Sequence, residues 1–340
     1  MPGGGRDLAW APGSFCLIGA RVAQTGRRQV TSAGREGAAD MSPDPEKVAV
    51  EVEGRSLVLT NLAKVLYPET GFTKGAVIDY YLRIAPELLP HIADRPLTLK
   101  RYPDGVTGQH FYNKHAPDHR PDWVRTERLP APGSTSGRDW VRYVIAGDLP
   151  TLIWTANLAG LELHTPMWRV PHVAEPDLLV FDLDPGAPAT IVECCAVALW
   201  LRPLLAEAGF DAFAKTSGGK GLQLLAPLAG MSSDQASAIA RTLAEHLERQ
   251  HPGVVVSRMT RSLRPGKVLV DWSQNNAHKT TIASYSLRAR VRPTVSTPVT
   301  WEEVAGCGQP EDLVFTSGEV LDRVAERGDL LAPLIGAQPG

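Results

Sequence analysis

Asp182-Leu183-Asp184 closes the apolar run Leu178-Leu179-Val180-Phe181 and is followed at once by Pro185-Gly186. A run that apolar, ended by Pro-Gly, reads as a buried strand meeting a loop, and strand side chains two apart share one face. Two carboxylates therefore project side by side. Such a pair repels itself unless a proton or a cation sits between the oxygens, and hard oxygen ligands at this spacing suit Mg2+ or Mn2+. Taken alone, the pair reads equally well as a cap and a solvated turn, because Asp is common at strand ends. A second strand tips the balance: Lys267-Val268-Leu269-Val270-Asp271-Trp272 again delivers an Asp at its C-terminal end. Two neighbouring strands of this kind put three carboxylates round one point. Three carboxylates can hold two divalent ions, the arrangement that stabilises attacking and leaving oxygens in phosphoryl or nucleotidyl transfer.

Between the two strands lies Lys215-Thr216-Ser217-Gly218-Gly219-Lys220-Gly221-Leu222-Gln223. Glycines let backbone N–H groups approach phosphate oxygens, and Lys220 adds a point charge. The spacing is not that of a P-loop, since Gly221 rather than Ser or Thr follows Lys220. Most Gly-rich loops are plain turns; between two Asp-bearing strands this one becomes a candidate triphosphate cradle.

The elements that must carry these residues follow from periodicity. Val48–Val52 and Leu57–Leu59 read as a hairpin turning at Glu53-Gly54-Arg55, followed by a helix from about Lys74 to Leu89. Strands are expected near Leu97–Arg101, Phe111-Tyr112, Tyr143–Ile145 and Glu162–His164, with Leu149–Ala159 helical. After the Asp-x-Asp strand, Thr190–Ala208 makes an apolar helix, Phe213–Lys215 and Leu222–Leu225 flank the Gly-rich loop as strands, and Ser233–Gln250 and Ser317–Arg327 are helices. Sheets wrapped by helices without regular β-α alternation give an α+β fold, with mixed or antiparallel sheets, rather than a doubly wound one.

A chain of 340 residues can bury a sizeable core. Its net charge of −2 argues against a general nucleic-acid binder, but the basic residues gather near the motifs: Arg258, Arg261, Arg264 and Lys267 precede Asp271, and Lys279, Arg288, Arg290 and Arg292 follow it. A local basic groove is expected. Cys16, Cys194, Cys195 and Cys307 form no C-x-x-C pair, so zinc is not expected and Cys194-Cys195 read as small core residues. No apolar stretch is long enough to span a membrane, and a cytoplasmic place is expected. Residues 1–46 read as a disordered extension, with Met41 a plausible start, and 47–335 as a single domain with an N-terminal part over 47–150 and a catalytic part over 151–335.

The ordered set Phe181-Asp182-Leu183-Asp184-Pro185-Gly186, Thr216-Ser217-Gly218-Gly219-Lys220-Gly221-Leu222, Val270-Asp271-Trp272-Ser273-Gln274-Asn275, Lys279-Thr280-Thr281-Ile282-Ala283 and Tyr285–Arg290 closely resembles the polymerase domain of bacterial ligase D, within the archaeo-eukaryotic primase superfamily. The likeness extends upstream through Leu59-Thr60-Asn61, Lys64–Pro68, Thr73-Lys74 and Arg95–Pro103, and covers roughly residues 50–332. It implies an archaeo-eukaryotic primase-like fold and, from the chain's length, a stand-alone relative of that domain. It also implies roles. Asp182, Asp184 and Asp271 would bind two Mn2+ or Mg2+ ions; His164, Ser217, Gly218, Gly219, Lys220 and Gln223 would line the site of the incoming NTP or dNTP, and Arg264, Lys279, Arg288 and Arg290 would steer phosphates. Lys64 and Lys74 match a pair that grips a 5′-phosphate across a gap, Lys100 and Arg101 lie where basic residues approach the template, and Phe111 and Tyr112 match an aromatic pair stacking at the templating base. One departure stands out: the family usually has His where this chain has Gln223, which cannot carry charge or shuttle a proton.

The resemblance implies a primer-dependent, DNA-templated nucleotidyltransferase that fills gaps or extends broken ends with 5′-phosphates. It further implies ribonucleotide preference, Mn2+ over Mg2+, a Ku-type end binder and a separate ligase as partners, a monomer, and association with the nucleoid. A primase-like enzyme that starts chains and a catalytically weak end-binding module are the alternatives. A glycosyltransferase also uses Asp-x-Asp with Mn2+, but needs neither a third Asp strand nor a lysine pair for a 5′-phosphate.

Overall fold

A computed structural model of the chain describes residues 20–22, 47–130 and 139–335. The expected disordered extension over 1–46 lies outside the described residues, except for Ala20–Val22, which is a strand. The chain divides into two compact units, Met1–Thr60 and Asn61–Gly340.

The first unit is an antiparallel sheet of β1 (Ala20–Val22), β2 (Lys47–Val52) and β3 (Arg55–Thr60), in that order. Its β2–β3 hairpin turns at Glu53-Gly54, where the sequence predicts it, with both residues at positive φ.

The second unit opens with a ribbon of β4 (Val65–Tyr67) and β5 (Phe72–Thr73) and the helix α1 (Lys74–Ile92). Thr73 caps α1 by accepting a bond from the Ala76 N–H at 3.2 Å. The helix outlasts the predicted end at Leu89 despite Pro86 and Pro90, because Tyr81, Ile84, Leu88 and Ile92 keep an unbroken helical spacing into the core. Next come β6 (Pro96–Arg101), β7 (Phe111–Asn113), β8 (Thr126–Pro130), β9 (Trp140–Ile145), α2 (Leu149–Asn157) and β10 (Gly160–Thr165). Helix α2 stops short of the predicted Ala159, which adopts the left-handed φ of 57° that turns the chain into β10. The chain continues through β11 (Leu178–Pro185), α3 (Ile191–Glu207), β12 (Phe213–Thr216), β13 (Leu222–Pro227), α4 (Ser233–Gln250), β14 (Val255–Val256) and β15 (Val268–Asp271). It ends with β16 (Thr281–Ile282), β17 (Pro298–Val299), α5 (Trp301–Gly306) and α6 (Ser317–Arg327).

Two six-stranded sheets result. One runs β16-β10-β6-β9-β8, with β7 also paired to β6; the other runs β14-β15-β11-β13-β12-β17 and is antiparallel except for β14 on β15. This is the expected α+β arrangement. In the second sheet Leu179, Phe181 and Leu183 of β11 join Cys194, Val197, Ala198 and Leu201 of α3 and Ala236, Ala240 and Ala244 of α4 in one core. The alternation of a strand then sends Asp182 and Asp184 to the opposite face. Strand β11 does not stop at the acidic pair: it runs on to Pro185, so Asp184 sits inside the strand opposite Leu269.

Leu183 is thus the core anchor between the two carboxylates, with 0 % of its surface exposed. Leu183→Ala is expected to cost about 3 kcal/mol of stability through lost burial and the cavity left behind, read as a lowered urea midpoint at unchanged slope.

Candidate active site

The antiparallel register between β11 and β15 sets Asp182 directly across from Asp271, and that between β11 and β13 sets Asp182 across from Gln223. Asp184 shares the face of Asp182, one strand repeat along. Burial, then the negative charge of Asp184, with a smaller push from Asp271, raises the Asp182 carboxyl from 3.8 to about 7, against the bond it accepts from Gln223. Burial also raises Asp184, and the positive charges of Lys220, Arg264 and Arg288 oppose that rise. Two carboxyls pushed up in this way, with Asp271 across from one of them, suit a hard divalent cation, which would supply the opposing charge. Among the described residues, however, no three metal-ligating side chains already converge. Asp271 is turned into a cap: its Oδ1 accepts from the Ser273 N–H at 2.9 Å and hydroxyl at 2.5 Å, and its Oδ2 from Gln274 Nε2 at 3.1 Å.

Beneath Asp182 lies a polar floor inside an otherwise apolar sheet. Gln223, expected from its position to meet the nucleotide, is 2 % exposed, and its Nε2 donates to Asp182 Oδ1 at 3.0 Å and Thr281 Oγ1 at 2.6 Å. Its Oε1 accepts from Lys215 Nζ at 2.5 Å. Lys215 is 1 % exposed and also donates to the Ile282 carbonyl at 3.0 Å and Ser296 Oγ at 2.7 Å. Burial brings its ammonium down to about 7, opposed by the charge of Asp182.

The Gly-rich loop closes the other side. Ser217 Oγ accepts from the N–H groups of Gly219 at 3.2 Å and Gly221 at 3.1 Å, folding the loop on its own hydroxyl. Gly218 has a φ of +66°, and a Cβ there would lie 2.6 Å from the Val295 backbone and 2.7 Å from Arg288 Cγ. A Cβ on Gly221 would strike the Leu183 carbonyl beside Asp184. Arg288 Nη1 donates to the Ser217 carbonyl at 3.2 Å, and the Arg290 guanidinium lies against Gly219. Lys220 Nζ donates to the Pro185 carbonyl at 2.9 Å, Arg264 to the Met259 carbonyl at 2.6 Å, and Lys279 to Ser273 Oγ with Asp271 Oδ2 3.9 Å away.

His164 reaches the site from the first sheet, its Nε2 2.9 Å from Glu162 Oε2. Glu162, which the sequence reading did not single out, organises this flank: it also accepts from the Ala289 N–H at 3.1 Å and pairs with Arg288 at 3.5 Å. Burial alone would raise its carboxyl, but the His164 bond and the Arg288 charge overcome burial and hold it at about 2. Its one sequence signal is an acid between Leu161 and Leu163.

Beyond His164 the surface becomes aromatic and basic. Tyr112 meets the His164 ring edge-on at 6.4 Å, and Lys100 lies over the rings of Tyr112 and Tyr102 at 5.4 and 5.3 Å. Phe111 and Tyr112 remain 50 % and 61 % exposed. Arg101 donates to the Leu158 carbonyl at 2.7 Å, and Lys64 pairs with Asp104 at 2.9 Å. Lys74 is buried, and burial together with the charges of Lys64 and Arg101 lowers its ammonium to about 8, so these three cations share one neighbourhood. Among the tryptophans, Trp154 and Trp168 are buried, whereas Trp140 is half-buried with the Arg128 guanidinium 3.9 Å from its ring centroid. A cavity of about 750 Å³ is lined by Arg169, Glu175, Leu228 and Met231 and contains none of these residues.

Residues 73–331 match the family described as LigD, primase-polymerase domain. The multifunctional non-homologous end joining protein LigD of Mycolicibacterium smegmatis is 46% identical over 284 residues, which are 83% of this chain and 36% of that protein. The bifunctional non-homologous end joining protein LigD of Bacillus subtilis is 30% identical over 274 residues, 80% of this chain and 43% of that protein. The chain thus spans well under half the length of these curated relatives. The polymerase domain from Mycobacterium tuberculosis ligase D, solved in complex with DNA, is similar with a TM-score of 0.78 and 42% identity, over 83% of this chain and 99% of that one. On fold and sequence together, the chain belongs to the LigD primase-polymerase family, with its archaeo-eukaryotic primase-like fold, and is by that membership a nucleotidyltransferase.

Proposed function

We propose that the chain extends a primer on a DNA template, filling gaps and extending broken ends that carry a 5′-phosphate, within non-homologous end joining or excision repair. The observation that carries this reading is the register that sets Asp182 beside Asp271 with Asp184 on the same face, flanked by a basic Gly-rich loop. Two Mn2+ or Mg2+ ions held by the three carboxylates would supply activation of the primer 3′-hydroxyl and neutralisation of the triphosphate. The chain's own residues then do the positioning. Lys220, Arg288 and Arg290 surround the loop where phosphates would lie, His164 is held by Glu162 to face the nucleotide, and the exposed Phe111 and Tyr112 offer rings to the templating base. Lys64 and Lys74 would take the 5′-phosphate, because an anion would relieve the Lys74 ammonium, which burial and then the charges of Lys64 and Arg101 hold down. Preference for ribonucleotides and for Mn2+, and service beside a Ku-type end binder and a separate ligase at the nucleoid, follow from the family likeness. That the relative of known structure is bound to DNA supports the choice of partner. No helix among the described residues is long and apolar enough to cross a membrane.

The primary test is a 5′-phosphorylated gapped duplex with Mn2+ and either rNTPs or dNTPs. Templated extension is expected, faster with rNTPs, and lost in Asp182→Ala and Asp184→Ala while gap binding persists. Tight binding without extension by the unaltered chain would replace this reading with an end-binding module, and extension without a primer would replace it with a primase.

Metal dependence is also legible in stability. A carboxyl raised in the folded state favours folding while protonated, so the Asp182 contribution is full below 3.8 and is lost as the pH rises through about 7. In the absence of divalent ions, Asp182→Asn is therefore expected to gain in Tm over the unaltered chain as pH climbs toward 7, with the gain levelling above it. Saturating Mn2+ should reverse the order. A Tm difference that is flat across this range would refute the burial of charge at Asp182.

Tyr112→Ala is expected to weaken gapped-duplex binding by about 1–3 kcal/mol, roughly 5- to 150-fold in Kd by fluorescence anisotropy, at unchanged Tm. Unchanged affinity would remove the ring from the proposed template contact.

A further inference from the structure

Lys215 has no role so far and Gln223 is turned away from the nucleotide-lining role expected of it; both are buried and every polar atom of their side chains is engaged beneath Asp182. We propose that they form a positioning couple that fixes the Asp182 carboxylate for metal binding. The inference rests on the reading of Asp182 as a metal ligand and adds the residues that aim it.

The argument is one of donor and acceptor direction. An amide has one donor end and one acceptor end, and Lys215 can only donate. Its Nζ, 2.5 Å from Gln223, therefore requires Oε1 on that side. The amide turned the other way would set NH2 against an ammonium and its oxygen against a carboxylate, two repulsions in a buried place. Only one orientation survives, and it points Nε2 at Asp182 Oδ1, 3.0 Å away, with its second hydrogen on Thr281 Oγ1 at 2.6 Å. Lys215 is fixed in turn by the Ile282 carbonyl and by Ser296 Oγ, whose own hydroxyl lies 2.8 Å from the Thr216 carbonyl. The strand register makes the line continuous: Lys215 pairs with Gln223 and Gln223 with Asp182 across β12, β13 and β11. The donated bond occupies Oδ1 and leaves Oδ2 for an ion. Removing a partner of this kind behind a ligand typically costs 10- to 100-fold in metal affinity, which is large for a residue that never meets the ion.

The test is Mn2+ binding to the full chain without DNA or nucleotide, read from the EPR signal of free Mn2+, with Tm and circular dichroism as controls for folding. Lys215→Met and Gln223→Leu are each expected to raise the Mn2+ Kd by roughly 10-fold or more, and the double variant by no more than the worse single one, because the two act in series. Gln223→His is expected to recover most of the affinity, since its ring can accept from Lys215 at one nitrogen and donate to Asp182 from the other. An unchanged Kd in a folded Lys215→Met or Gln223→Leu variant, or full additivity of the two, overturns the couple. If instead Asp182→Ala binds Mn2+ as the unaltered chain does, the reading of Asp182 as a ligand fails and the couple fails with it. The two failures are distinct because only the second leaves the Asp182→Ala affinity intact.

Discussion

Three carboxylates crowd one face of two paired antiparallel strands, and the rest of the site is organised around their mutual repulsion, with Asp184 pressing hardest on Asp182 and Asp271 set directly across from it. The backbone cannot relieve it: β11 is interior to its sheet, hydrogen-bonded to β13 on one edge and β15 on the other, so the separation of the two acids is set by the pairing. Leu179, Phe181 and Leu183 hold the strand from behind against α3 and α4, and a slip of one residue would put both Asp182 and Asp184 into that core. What remains adjustable is charge. Lys220, Arg264 and Arg288 bring positive fields to Asp184, Lys279 stands near Asp271, and Lys215 lies below Asp182 behind an amide. These cations moderate the carboxylates without pairing tightly with Asp182 or Asp184, which leaves oxygens available to an ion. The chain's near-zero net charge hides this local excess, since the acids elsewhere are spread over the surface.

The segment from Lys279 to Thr297 connects the two six-stranded sheets with little regular structure of its own. Thr281 and Ile282 pair with β10 in the first sheet while Thr281 Oγ1 and the Ile282 carbonyl accept from Gln223 and Lys215 of the second. Tyr80 and Tyr81 donate from α1 to the Tyr285 and Leu161 carbonyls, and Ser286 Oγ accepts from the Leu163 N–H. Arg288 then spans both flanks of the site, touching the Ser217 carbonyl on one side and Glu162 on the other. A backbone this irregular stays buried because its polar groups are satisfied one by one, by other backbone groups, as the Tyr285 N–H is by the Ser296 carbonyl, and by side chains. The same bonds fix the distance between the Gly-rich loop and His164.

The acidic strands were legible because each is an apolar run that delivers an Asp at its C-terminal end. The helices were legible through their apolar spacing, and capping boxes open them at Thr190 with Glu193, Ser232 with Gln235, and Thr316 with Glu319. Strands β16 and β17 were not, since two residues carry no period. Glu162, Lys215 and Gln223 sit in apolar strands just as Asp182 does, but a single strand does not reveal which neighbour will satisfy a buried polar group. Lys215 reads as an edge of a phosphate loop until the register places it opposite Gln223. Phe111 and Tyr112 were distinguishable from core aromatics only by the family likeness, because a three-residue strand has too short a pattern to mark its exposed face.

The two facing acids are not equivalent, and the difference lies in what holds them. Asp182 is oriented from behind by an amide that a buried ammonium locks, and its bond occupies one oxygen on the side away from the opening. Asp271 is oriented from the front: Ser273 and Gln274 occupy both of its oxygens, and Ser273 is itself bonded to Lys279. The first arrangement would survive the arrival of a cation in the proposed site, because the Gln223 N–H takes only Oδ1. In the second, both oxygens already accept, two donors on Oδ1 and one on Oδ2, so a cation in the proposed two-ion site would compete with the cap for Asp271. Asp182 is thus held from behind and Asp271 from the front, a division that follows from the strand β13 lying behind one acid and a 3₁₀ turn following the other.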